Sequence, residues 1–177
     1  MNNIMMDIET LDTRHTAQVM SIGLARFDET GVKSAMYWVL QREDQEEMGR
    51  TVSESTIKWW AEQKADAQQV ITDYNENPIE THHSLLLIKD WMGAKPIVWG
   101  NGADFDNAIV ASLYATFETE VPWSHKHSRC YRTLAALCPP TVIDHLPPKA
   151  GTHHHALDDA LYQATCAVRM LKFIRGT

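Results

Sequence analysis

The apolar positions of this 177-residue chain follow two different rhythms. Up to about residue 40 they crowd into short runs rich in Ile, Met, Val and Leu, over 2–9, 17–27 and 33–40. Short apolar runs bounded by polar turns predict strands, and Asp28-Glu29-Thr30-Gly31 is such a turn. The brief connections predict an antiparallel three-stranded meander. Beyond residue 50 the spacing becomes helical. Ser53, Glu54, Ser55 and Thr56 offer N-cap side chains ahead of Ile57-Lys58-Trp59-Trp60, so a helix begins there. Further helices are predicted over 65–73 and 80–92, the second carrying Leu85, Leu86, Ile88 and Trp91. Lys95-Pro96-Ile97-Val98-Trp99-Gly100 reads as a strand, followed by a helix over 104–116. Ser128-Arg129-Cys130-Tyr131 reads as a fifth strand, leading to a short helix that ends before Pro139-Pro140, and a last helix covers 155–174. This order predicts an α/β fold: a mixed five-stranded sheet with helices on both faces, forming one domain over 1–177.

Composition narrows the class. With 44% hydrophobic and 22% charged residues the chain is that of an ordinary globular protein. It has no run long enough to span a membrane, and MNNIMMDIET lacks the basic and apolar regions of a signal peptide, so a cytoplasmic location is expected. Cys130, Cys138 and Cys166 form no CxxC pair and are read as reduced, buried thiols. The net charge of −7 argues against a tight duplex-binding module, which would need Lys and Arg for phosphate contacts. It leaves room for a metalloenzyme, because a bound divalent cation reverses the local field.

Three acidic sites point that way. Asp7 and Glu9 lie two apart on the first strand, so their side chains leave the same face of the sheet, while Ile4, Met6 and Ile8 turn to the other. Adjacent carboxylates repel each other unless a cation sits between them, and carboxylate oxygens suit hard cations. The second site is Asn101-Gly102-Ala103-Asp104-Phe105-Asp106, at a strand-to-helix junction that commonly faces a ligand crevice. An aspartate at a helix start can also serve as a cap, the reading favoured for Asp104, while Asp106 stands apart. The third is His153-His154-His155-Ala156-Leu157-Asp158-Asp159-Ala160. One stripe of the last helix runs through Leu157, Leu161, Ala164, Val168 and Leu171. A softer one runs through Tyr162, Cys166, Met170 and Phe173, and Asp159 continues it upstream. A carboxylate on a buried side must be paired or bind metal, which favours Asp159 over Asp158.

Taken together the three sites resemble the DEDDh 3′-5′ exonuclease superfamily, which includes the proofreading subunits of DNA polymerases and ribonuclease T. Asp7-Ile8-Glu9-Thr10 matches its first motif, Asn101 to Asp106 its second, and His154-His155-Ala156-Leu157-Asp158-Asp159-Ala160 its third, in order along the whole chain. That spacing selects His154 among the three histidines and Asp159 between the two aspartates. The second motif departs in reading Asn101-Gly102 where many relatives have His-Asn, and in the extra carboxylate of Asp104. Ser21-Ile22-Gly23, Trp59-Trp60 and Arg129 to Leu134 are similar to a compact bacterial or phage branch.

The resemblance implies a ribonuclease H-like fold holding two divalent cations, Mg²⁺ or Mn²⁺. Asp7 would bridge them, with Glu9 and Asp159 on one ion, Asp106 supporting the other through water, and His154 as general base. The products would be nucleoside 5′-monophosphates. The expected substrate is DNA, single-stranded or at 3′ ends; alternatives are an exoribonuclease trimming RNA 3′ ends, a polymerase-held proofreading module, and an endonuclease of the ribonuclease H type. Thr10 and Leu11 are expected to pack on the terminal nucleotide. Arg129 and Arg132, within a basic and partly aromatic stretch, are expected to track the backbone. Trp59 and Trp60 adjoin on a helix, so at most one faces the core, and Trp60 is assigned to the substrate. Association as a homodimer is also expected.

Overall fold

A computed structural model describes residues 2–176. Its centre is a five-stranded sheet in the order β3-β2-β1-β4-β5. The strands are β1 (Asn3–Thr10), β2 (Val19–Asp28), β3 (Gly31–Val39), β4 (Ile97–Gly100) and β5 (Ser128–Cys130). The first three form the expected antiparallel meander, and β4 and β5 join in parallel, which makes the sheet mixed. Eight α-helices and one 3-10 turn (His125–His127) complete the described chain: α1 (Arg42–Glu47), α2 (Glu54–Ala61), α3 (Ala65–Glu76), α4 (Thr81–Met92), α5 (Asp106–Thr116), α6 (Tyr131–Ala136), α7 (Pro140–Ile143) and α8 (Ala156–Arg175).

Two helices are additions to the sequence reading. The acidic α1 has one buried residue, Gln45, and no apolar stripe to announce it. Gln45 instead binds the backbone of Val19 through both ends of its amide, at 2.9 Å each. The short α7 starts where the sequence suggested a stop, because Pro140 occupies its first turn, where no N–H is needed.

Both faces of β1 are covered. Ile4, Met6 and Ile8 pack with Leu85, Ile88, Ile109 and Leu113 beneath α4 and α5. On the opposite face Met5 joins Phe27, Trp99, Ala160, Ala164 and Ala167 under α8. Asp7 and Glu9 share parity with Met5, so they lie on the α8 side. The buried face of α8 takes in part of each expected stripe. Ala164 and Val168 of the first and Cys166 and Met170 of the second are buried, but Ala156, Ala160, Gln163 and Ala167 complete the face, while Leu157, Leu161 and Leu171 are only partly buried and Phe173 is exposed. Small residues are needed because the helix descends very close to the sheet.

Gly23 sets that approach. It is the cross-strand partner of Asp7. A Cβ built on it would lie 2.2 Å from both the carbonyl carbon and oxygen of Ala156. No side-chain rotation relieves a clash with backbone. Gly23→Ala is therefore expected to destabilise the fold by about 3 kcal/mol or more, read from urea unfolding. A loss below 1 kcal/mol would show that α8 can lift off freely.

Candidate active site

A cavity of about 740 Å³ opens where the first turn of α8 meets the ends of β1 and β4. Its size is that of a small-molecule or nucleotide site. Asp7, Glu9, Asp106, His154 and Asp159 all line it. One oxygen each from Asp7, Glu9 and Asp159 lie within 4.8 Å of one another, a grouping able to hold a metal ion. Asp106 stands beside this trio on the first residue of α5, outside the tight cluster.

The backbone explains the gathering. The strand alternation aims Asp7 and Glu9 at the same side, and α8 delivers Asp159 from its first turn. Gly100 ends β4 and lets α5 start directly above it; a Cβ there would meet Asp106 Cβ at 2.9 Å and Asn107 Oδ1 at 2.6 Å. Asp106 is thereby buried, with its Oδ2 lacking any hydrogen-bond partner. Asp104, two residues earlier, is exposed and does not line the cavity.

His154 has left-handed backbone, φ 62°, unusual for a residue with a Cβ. This turn points its N–H at Asp159 Oδ2, 3.0 Å away. The neighbouring acid is used differently: Asp158 Oδ2 accepts the Thr152 N–H at 2.8 Å and ties down the loop. His155 caps α8, with Nδ1 accepting the Asp158 N–H, and stacks on Tyr37.

Crowded carboxylates in a protein interior resist ionisation. Burial raises the Asp7 carboxyl well above its usual range, and the charges of Asp106, Glu9 and Asp159 add to it. Burial does the same to Glu9, reinforced by Asp159 and Asp106. Asp106 is pushed up to about 7, chiefly by burial, with backbone amides and Arg132 opposing. An unpartnered buried oxygen and three converging hard donors are what a divalent cation would satisfy, so the residues fit such an ion.

The remaining expected contacts separate. Thr10 lines the cavity, whereas Leu11 is buried with Trp60, Val70 and Tyr74 in a third apolar cluster. Arg132 lines the cavity and donates to Asn101 Oδ1 at 3.2 Å. Arg129 does not; its guanidinium folds back onto the carbonyls of Lys126 and Ser128. Trp60 also lines the cavity, but it is 1% exposed and donates its indole N–H to the Thr10 carbonyl at 2.9 Å, which props β1. Trp59, 40% exposed, stands at the rim with its ring edge-on to His154, 4.8 Å between centroids. Adjacent positions on a helix diverge by about 100°, and which of the two tryptophans turned inward was not readable from the run itself.

Two residues that bond directly to the clustered acids escaped the sequence reading. Gln163, one turn beyond Asp159 on the same face, donates to Asp7 Oδ1 at 2.7 Å; the spacing of four was the available signal. Lys149 pairs with Asp159 across a loop, and no periodicity marks it.

The fold recurs in solved nucleases. The nuclease domain of 3′hExo, a DEDDh family member bound to rAMP, matches with a TM-score of 0.65 at 14% identity, covering 97% of this chain and 92% of that one. A zinc-bound E. coli ExoI-ssDNA complex matches at 0.64 and 16% identity, over 99% of this chain but 40% of its own. A full-length 3′-exonuclease matches at 0.64 and 13% identity, over 97% and 81%. The present chain thus spans about two fifths of the exonuclease I chain and most of the other two. No curated protein matches the sequence. The ribonuclease H-like α/β fold, with its mixed sheet, is that of the DEDDh 3′-5′ exonucleases, hydrolases that use divalent metal ions. The chain belongs to the family described as the 3′-5′ exoribonuclease Rv2179c-like domain, whose model matches residues 2–171. Among the described residues no helix is long and apolar enough to cross a membrane.

Proposed function

We propose that this 3′-5′ exonuclease shortens single-stranded RNA from its 3′ end, releasing nucleoside 5′-monophosphates. The observation that carries the reading is the convergence of Asp7, Glu9 and Asp159 within 4.8 Å, at the floor of a nucleotide-sized cavity. The family description supplies the preference for RNA. DNA is the second reading, favoured by the ssDNA complex of the similar exonuclease I.

Asp7, Glu9 and Asp159 would hold the divalent cations, Mg²⁺ or Mn²⁺, with Asp106 acting through water. When bound, such ions polarise the phosphodiester and activate the attacking water. The protein supplies the rest. Gln163 fixes the Asp7 carboxylate by its 2.7 Å hydrogen bond, and His154 receives the proton of the attacking water. Burial lowers the His154 imidazole below its ordinary pKa, which keeps it neutral and able to accept at pH 7. Trp59 offers a flat apolar face for the terminal base, and Thr13, Ser55 and Thr56 line the same cavity. Arg132, which also lines the cavity, would meet the phosphate of the preceding nucleotide.

The test uses 5′-labelled single strands of RNA and DNA with equal sequence, incubated with Mg²⁺ and resolved on a denaturing gel. RNA is expected to shorten from its 3′ end at least about tenfold faster, since a site that hydrogen-bonds a hydroxyl rejects the analogue lacking it. Faster shortening of DNA would overturn the RNA assignment. Ladder formation undiminished by EDTA would overturn the metal site.

A further inference from the structure

Lys149 lies in the loop between α7 and α8, with its side chain 12% exposed. Its ammonium forms an ion pair with Asp159 Oδ1 and a 3.0 Å contact with His153 Nδ1. Asp159 is the carboxylate whose oxygen groups with those of Asp7 and Glu9. Lys149 also lines the same cavity. The loop is anchored to bring it there. Gly151, at φ 85°, and the Thr152 N–H both rest against Asp158, which ties the segment to the first turn of α8. A cation already stands on one of the three clustered carboxylates that a divalent ion would use.

Resting on the metal site proposed above, we propose that Lys149 is the resident counter-ion of the Asp159–Glu9–Asp7 cluster, which an incoming metal ion must displace from Asp159. The physical reason is a shared ligand. A carboxylate held by an ammonium at contact distance is a poorer donor to a second cation, and two cations so close repel strongly in a partly desolvated site. Lys149 thus opposes metal entry while relieving repulsion among the acids in the metal-free protein. It thereby sets the free metal concentration at which the enzyme becomes active. Lys149 is a positioning residue in this scheme; it need not touch the reacting atoms.

Two measurements on intact protein test it: Mn²⁺ affinity by titration calorimetry, and melting temperature without metal. Lys149→Met removes the charge and keeps the aliphatic stem. It is expected to bind Mn²⁺ about tenfold more tightly and to melt at a lower temperature without metal. Lys149→Arg, which retains the charge, is expected to match the wild type in both. Unchanged or weaker Mn²⁺ binding by Lys149→Met, even with a lower melting temperature, would reduce the ion pair to a structural contact and overturn the proposal. Asp7→Ala serves as the control for the site itself. If Asp7→Ala binds Mn²⁺ like the wild type, the metal site is misplaced. If Asp7→Ala loses binding and Lys149→Met leaves it unchanged, the role of Lys149 alone is wrong.

Discussion

Asp7→Asn is expected to lower the exonuclease rate about 10⁴-fold and, in metal-free protein at pH 8, to raise the melting temperature. The two effects have opposite signs for one reason. Asparagine keeps the shape of the side chain and still accepts the hydrogen bond that Gln163 gives to Asp7 Oδ1. It removes the negative charge that a divalent cation needs and that the metal-free site tolerates poorly. Burial, then Asp106, Glu9 and Asp159, raise the Asp7 carboxyl in the folded state. A carboxyl whose pKa rises on folding binds more protons folded than unfolded. Stability is accordingly lost as pH climbs from the unfolded value, about 4, through the raised folded one. At pH 8 the neutral amide should gain at least about 3 °C, and near pH 4 the difference should close. Scanning calorimetry in EDTA and the gel assay read the two arms. A variant that keeps activity within tenfold, or melts lower at pH 8, would remove Asp7 from the centre of the site.

His154→Ala is expected to reduce kcat about 10²- to 10³-fold with little change in KM or metal affinity. The imidazole edges onto Trp59 but makes no hydrogen bond that orders the three clustered acids; only its backbone N–H reaches Asp159, and alanine retains that group. At saturating metal the wild-type rate should fall on the acid side as His154 takes a proton. Its pKa is lowered mainly by burial, which places that limb below about 6.5. In His154→Ala the limb should vanish, leaving a shallow rise toward high pH where hydroxide replaces the base. A variant that loses rate yet retains the same limb would show that another group accepts the proton.

The fold was largely legible because its strands are short apolar runs with clear turns. The meander, the short fourth strand and the long last helix all form within a few residues of their expected limits. The acidic motifs were legible because strand alternation and the start of a helix fix direction locally. What was hidden depends on distance between elements. The inward face of α8 is built from alanines, whose weak hydrophobic signal conceals how closely the helix sits on Gly23. Trp60 turned inward because the Thr10 carbonyl accepts its N–H across 50 residues, and Lys149 meets Asp159 through a loop without periodicity. Neither pairing leaves a trace in its own neighbourhood.

The contact between Gly23 and Ala156 makes the start of α8 a fulcrum. The helix has 20 residues, a lever about 30 Å long, and its far end carries the half-exposed Phe173 and Ile174. A tilt of a few degrees would swing that end by ångströms. Asp159 and His154, beside the pivot, would hardly move. Disturbance arriving at the C-terminal end of α8 is thus damped before it reaches the carboxylates, and their spacing is kept by backbone resting on backbone.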